Sequence, residues 1–248
     1  MIPEYPTPSL PDDPRLLRAW RVLRALAVPL RRAMRPHYQP GSAIAAVRCA
    51  LDALEALGVA ARPLRVRVVV ANAAYAAAMR EADGRPPRLP GEQERWERER
   101  GALRYTIGYP ITPRSRLDRP ELAPRPGVPP PYDATGLHLA AVAEEAYLFD
   151  PSLDQASRPD KGFALDPLVA PVDELFLRGA EPAAFVLPGG ALANYQALVG
   201  AEDNRSYVHS PNWGARDAPI RRRIVAEALA ALPRDLRRGP PDSAGPDT

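Results

Sequence analysis

The chain is poor in the residues that build metal and redox sites. Its 248 residues hold one cysteine, Cys49, and three histidines, His37, His138 and His209. That excludes a disulfide framework and any cysteine-rich zinc module. No two histidines stand at ligand spacing, and Gly189-Gly190 has neither the following lysine nor the spacing of a phosphate loop. Neither a metal nor a cofactor is expected. No apolar run approaches the roughly 18 residues of a membrane-spanning helix. The opening Met-Ile-Pro-Glu-Tyr-Pro lacks the basic-then-apolar layout of a secretion signal. A cytoplasmic protein with no membrane partner is the expectation. Lysine is also scarce. Lys161 is the single one, so arginine supplies nearly all of the 33 basic residues, which 30 acidic residues almost balance to +3. A nucleic-acid binder gathers its cations on one face. Here Arg221 to Arg223 and Arg237-Arg238 are the dense groups, and acids interleave most others, so no nucleic-acid partner is expected.

Proline is abundant, with 32 residues. Five of them fall in residues 1–14, which reads as a disordered arm. Leu16, Leu17, Trp20, Leu23 and Leu26 then recur at helical spacing, up to a kink expected at Pro29. Pro40-Gly41-Ser42 breaks the chain and offers Ser42 as an N-cap. Ala43, Val47, Ala50, Leu54 and Leu57 form one face of a second helix, which Gly58 ends. Leu64 to Ala71 is β-branched and reads as a strand. Residues 73–82 and 92–100 read as helices, and Tyr105 to Tyr109 as a short strand. Residues 110–131 hold eight prolines and read as a long surface loop. Leu137–Val142 and Ala146–Phe149 make a hairpin pattern. Further strands are expected around Phe176 and Leu177, from Phe185 to Leu187 and from Leu192 to Val199. A last helix is expected at 219–232, then a disordered tail from Arg237 onward. Helices first and strands later predict one α+β domain over 15–236, a helical layer packed on a mostly antiparallel sheet.

An acid–base pair emerges from the hairpin. With a three-residue loop of Ala143 to Glu145, His138 falls opposite Asp150 on one face, Cβ atoms about 5 Å apart. The carboxylate then orients the imidazole and leaves its other nitrogen for a nucleophile. The plainer alternative is a half-buried strand histidine and an aspartate opening the Asp150-Pro151-Ser152 turn.

These residues resemble the transglutaminase-like superfamily, whose wider relatives include papain-like thiol proteases and arylamine N-acetyltransferases. His138 matches its histidine and Asp150 its aspartate before Pro-Ser. Leu57-Gly58-Val59-Ala60-Ala61-Arg62 resembles the Leu-Gly-Ile-Pro-Ala-Arg end of its catalytic helix. The likeness covers about residues 40–155. No Trp follows His138 at the usual second place, and the His–Asp interval is short. The resemblance implies acyl transfer or amide hydrolysis by a Cys-His-Asp mechanism on a peptide or small acyl or amine substrate. It also implies a nucleophile about 15 residues before Gly58, where helix-terminal N–H groups lower a thiol pKa. That position is Ala43.

Cys49 lies mid-helix among alanines and reads as a packed thiol. Ser42 is closer to the matching place but is expected to cap the helix. Gln39 is placed to donate to an oxyanion, a role glutamine plays in papain-like enzymes. Tyr38, Asn72, Gln155 and Trp213 are further polar or aromatic residues at element ends, with capping or loop anchoring as their default roles. Two functions follow from this reading. One is a transglutaminase-like acyl-transfer core with Ala43 in the nucleophile place. The other is a non-catalytic protein whose retained cleft binds a peptide or small molecule.

Overall fold

The computed structural model describes residues 11–38, 43–82, 85, 87, 90–107, 138–159, 163–199, 207–208, 210 and 212–237. Gln39, Gly41, Ser42, the proline-rich segment 110–131, most of the N-terminal arm and almost all of the C-terminal tail lie outside them.

Helix α1 (Pro14–Met34) opens on Asp13, whose carboxylate accepts the Arg15 N–H at 2.7 Å. It passes through Pro29 without ending, where the sequence predicts a kink. Val22, Leu23, Leu26, Leu30 and Met34 are fully buried along one stripe. Burial of about 1.5–3 kcal/mol per such side chain outweighs the roughly 3 kcal/mol cost of an interior proline. Helix α2 (Ala43–Ala56) buries Ala46, Val47, Ala50 and Leu54 beside it. Gly58, at φ 68°, ends α2, and the Val59 N–H closes back on the Leu54 carbonyl at 2.9 Å. The chain passes directly into the central strand β1 (Ala61–Ala71).

Helices α3 (Ala73–Glu81) and α4 (Pro90–Glu99) follow, then strands β2 (Arg104–Ile107), β3 (His138–Ala143), β4 (Tyr147–Asp150) and β5 (Leu168–Pro171). The short helix α5 (Glu174–Leu177) stands where a strand is expected, because Asp173 accepts the Phe176 N–H at 2.8 Å and caps it. Strands β6 (Ala183–Val186) and β7 (Leu192–Ala197), helix α6 (Ala218–Ala230) and the single turn α7 (Arg234–Arg237) complete the described elements.

Every strand pairing among the described residues is antiparallel, in the order β5-β4-β3-β1-β7-β6, with β2 also on β1. The architecture is α+β, with a sheet curled nearly into a barrel. Strand β7 occupies one edge of β1 over Val66–Ala71. Strands β3 and β2 therefore share the other edge end to end, His138 pairing with Val66 and Ile107 with Val68.

Two cores divide the sheet. Leu139, Ala141, Ala143, Tyr147 and Phe149 pack with α1, α2 and α6. Ala140, Val142, Leu148, Leu64, Val66, Val68 and Tyr195 fill the other side. The β3–β4 loop is Glu144 to Ala146, one residue later on each strand than predicted. Ala143 pairs with Tyr147, and continuing that register sets Asp150 across from Ala140.

Candidate functional site

His138 and Asp150 meet as the hairpin predicts, although diagonally rather than directly across. A shift of one residue on both strands preserves the shared face, so the parity survives the change of register. The Nε2 of His138 lies 2.7 Å from Asp150 Oδ2. That same oxygen accepts the Tyr195 hydroxyl at 2.8 Å, from β7. The other oxygen, Oδ1, accepts the Ser152 amide at 2.9 Å and the Ser152 hydroxyl at 3.0 Å. Asp150 is wholly buried and His138 is 5% exposed.

Burial alone would raise the Asp150 carboxyl. The neighbouring imidazole and the donors from Ser152 and Tyr195 more than offset that and hold it below the ordinary carboxylate value. Tyr195 is held well above its ordinary value by burial and by the adjacent carboxylate, so it stays a donor. The bond to Asp150 uses Nε2 of the ring, and Nδ1 has no hydrogen-bond partner among the described residues. Tyr195 carries no local signal that links it to Asp150, since 45 residues separate them.

Ala43 is the first residue of α2. The far end of α2 is fixed at the β3–β4 hairpin, where the Ala60 N–H donates to the Glu144 carboxylate at 2.9 Å. Fourteen residues of helix span about 20 Å. Six strand steps along β1, from Ala61 to Arg67, span about the same length. The first turn of α2 therefore reaches the end of β3 that carries His138. Side chains decide the rest. The residues of β3 that meet α2 are Leu139, Ala141 and Ala143. His138 alternates with them and shares its side with its cross-strand partner Val66 and with Ala140, in the other core. The imidazole is thus turned to the side of the sheet away from α2.

Cys49 is fully buried in α2, and burial pushes its thiol up to about 12. It is a packed core residue. Tyr38 reaches Asp217 at 3.4 Å and ties the end of α1 to the start of α6; burial pushes its phenol up to about 12. Asn72 caps α3 through the Tyr75 N–H at 2.9 Å and also holds Gly101 and Leu103. Trp213 packs on Tyr207 and lies under Arg48 of α2, an anchor for its loop. The amide nitrogen of Gln155 is buried without a partner among the described residues, beyond the Asp150-Pro151-Ser152 turn.

The α2 side of the sheet also carries an open stretch that the sequence does not announce. On β1, Ala61 packs with the helical layer, and Ala71 packs with Tyr75 and Ala78 of α3. Between them Arg67 is exposed and Val69 half-buried. Arg67 pairs across to Gln196, and Val69 stands between Thr106 of β2 and Asn194 of β7. Asn194 and Gln196 are exposed. Arg67, Asn194 and Gln196 thus share one exposed strip of the sheet on the α2 side.

Among the described residues no group of three or more His, Cys, Asp or Glu side chains could hold a metal ion, and no helix is long and apolar enough to cross a membrane. No family model, curated protein or solved structure matches the chain.

Proposed function

We propose that the chain is a non-catalytic binding protein built on a transglutaminase-like core. The orientation of His138 carries the reading: strand alternation turns the imidazole to the side of the sheet away from α2, whose first residue is Ala43. Ala43, the first described residue of that helix, carries no nucleophile. Cys49 is buried with a thiol that holds its proton at neutral pH. The His138–Asp150–Tyr195–Ser152 cluster satisfies every oxygen of a buried carboxylate, and its role here is to lock β3, β4 and β7 together.

The passage from α2 through Gly58 into a central strand, with a histidine on the adjacent strand β3 bonded to an aspartate on the next strand, β4, supports the transglutaminase-like ancestry. A second reading, an acyl-transfer core that lacks only its sulfur, draws on two observations. The first turn of α2 reaches the His138 end of β3, and Nδ1 is unpartnered among the described residues.

Ala43→Cys separates the two. With p-nitrophenyl acetate as a simple acyl donor, the binding reading predicts that the new thiol reacts no faster than a free thiol and that His138→Ala changes nothing. A burst of p-nitrophenol that disappears with His138→Ala would replace it with the acyl-transfer reading.

A further inference from the structure

Folding sorts the charges of this chain, although their net is only +3. Helix α1 and its C-cap carry seven arginines, from Arg15 to Arg35, and no acidic residue. Arg21, Arg24, Arg32 and Arg35 are exposed. At about 100° per residue they lie with Val28 inside an arc of about 80°, and from first to last they span about 21 Å. Val22, Leu23, Leu26, Leu30 and Met34 are buried on the opposite side of the helix. Arg21 and Arg32 have no hydrogen-bond or ion-pair partner among the described residues, and Arg24 stands over the Trp20 ring at 5.5 Å. Asp154 takes Arg31 at 2.8 Å and reaches Arg35 only at 4.0 Å. Two hollows border this ridge. Arg21, Arg24 and Trp20 line one with Asp235 of α7, and Arg31, Arg32 and Arg35 line the other, of about 270 Å³, with Asp154 and Asp166. Acids gather elsewhere: Glu92, Glu94, Glu97 and Glu99 all belong to α4. The interleaving of acids with cations that argues against a nucleic-acid partner in the sequence therefore does not persist on the outer face of α1.

We infer that the outer face of α1 binds a double-stranded nucleic acid along its phosphates, through Arg21, Arg24, Arg32 and Arg35. A row of cations along one helix is the electrostatic footprint of such a partner. Guanidinium forks match phosphate oxygens with paired hydrogen bonds. A duplex carries one charge per about 1.7 Å of its axis, so a ridge of this length meets phosphates in any register. Arg31 and Arg32 also complement the carbonyl end of the helix, but Arg21 and Arg24 stand at mid-helix, where the dipole gives them nothing. A single strand calls for free aromatic rings to stack its bases. Trp20, the aromatic residue beside the ridge, already packs on Tyr147, with ring centres 5.4 Å apart, and lies under Arg24. A bilayer calls for apolar side chains facing outward, and α1 turns all of its long ones but Val28 toward the core. The inference goes beyond the reading of Ala43 and His138 and shares no residue with it.

The test uses the full chain and a fluorescein-labelled DNA duplex of about 20 base pairs, read by anisotropy over a range of salt. Three to four phosphate contacts predict a slope of about −3 in log K against log salt, so binding should weaken roughly 30-fold between about 50 and about 150 mM. Replacing Arg21, Arg24, Arg32 and Arg35 together by glutamine should bring that slope near zero and abolish most of the binding. Replacing Arg80, Arg85, Arg95 and Arg98 by glutamine, on and beside α3 and α4, changes the net charge equally and should leave binding close to that of the unaltered chain. All eight residues are exposed and glutamine is a good helix former, so circular dichroism should show an unchanged fold for both variants. Absence of binding, or equal losses in the two variants, overturns the inference, the second because net charge alone would then account for the binding. So does tighter, α1-dependent binding to poly-glutamate or to phosphatidylserine vesicles, which would give the face to an acidic protein or to a membrane surface.

Discussion

Tyr195 and His138 bind one and the same oxygen of Asp150, at 2.8 and 2.7 Å, from strands on either side of β1. The carboxylate is a junction. It joins β4 to β3 through the imidazole and reaches over β1 to β7 through the phenol. Removing either donor leaves a buried charge short of a partner, which costs more than an ordinary hydrogen bond contributes.

Tyr195→Phe keeps the ring against Phe185, at 5.8 Å between centroids, and deletes only the hydroxyl. Its expected cost is about 1–3 kcal/mol, the range for a bond to a charged buried group. Urea denaturation should show a lower midpoint with an unchanged slope. Asp150→Ala, which also strands the imidazole, should cost about 3–5 kcal/mol.

The depressed Asp150 carboxyl fixes a sign in acid. The unfolded chain takes up this proton near the ordinary value of 3.8, while the folded chain resists until lower pH. The stabilisation is therefore complete above the ordinary carboxylate range and is lost as pH falls through the folded value. In acid denaturation followed by tyrosine fluorescence, Asp150→Asn should be less stable at neutral pH and lose stability less steeply below about pH 4.

Burial determines the chemistry of Cys49. With the thiol pushed up to about 12, almost no thiolate exists at neutral pH. Ellman's reagent should leave the native protein unmodified for hours and titrate one thiol after addition of denaturant. Cys49→Ser, which buries a hydroxyl among alanines, should destabilise more than Cys49→Ala.

The β3–β4 turn sets two glutamates at positive φ, Glu144 at 52° and Glu145 at 47°. A left-handed conformation costs a residue of this kind roughly 1–2 kcal/mol. Glu144 offsets it by accepting the Ala60 N–H at 2.9 Å and pairing with Arg15. Among the described residues Glu145 makes an exposed pair with Arg62 at 2.7 Å, within the range of about 0–1 kcal/mol. Asparagine tolerates the left-handed region. Glu145→Asn should therefore be neutral or slightly stabilising, while Glu144→Asn should lower the melting temperature.

Much of this architecture is legible in the residues themselves. The period of Ala43, Val47, Ala50 and Leu54, the glycine after it and the β-branched run that follows define α2 and β1. The shared face of His138 and Asp150 follows from strand parity. The side of the sheet on which that face lies does not. All six residues of β3 are buried, so no alternation marks one face as outer. Phe176 and Leu177 look like a strand because two apolar residues carry no period, and the capping aspartate before them decides otherwise. Strand β5 hides after Pro167 and ends on Pro171. The place of Tyr195 against Asp150 depends on β7 returning beside β1, a long-range pairing that no local pattern encodes.

The most direct test of the account is the pH profile of iodoacetamide alkylation of Ala43→Cys, with and without His138→Ala. The account places the imidazole behind β3, so both proteins should alkylate along one curve, with a thiol pKa lowered only as far as a helix start lowers it. A thiol that ionises well below that curve, and returns to it when His138 becomes alanine, would put the imidazole on the α2 side and contradict the account.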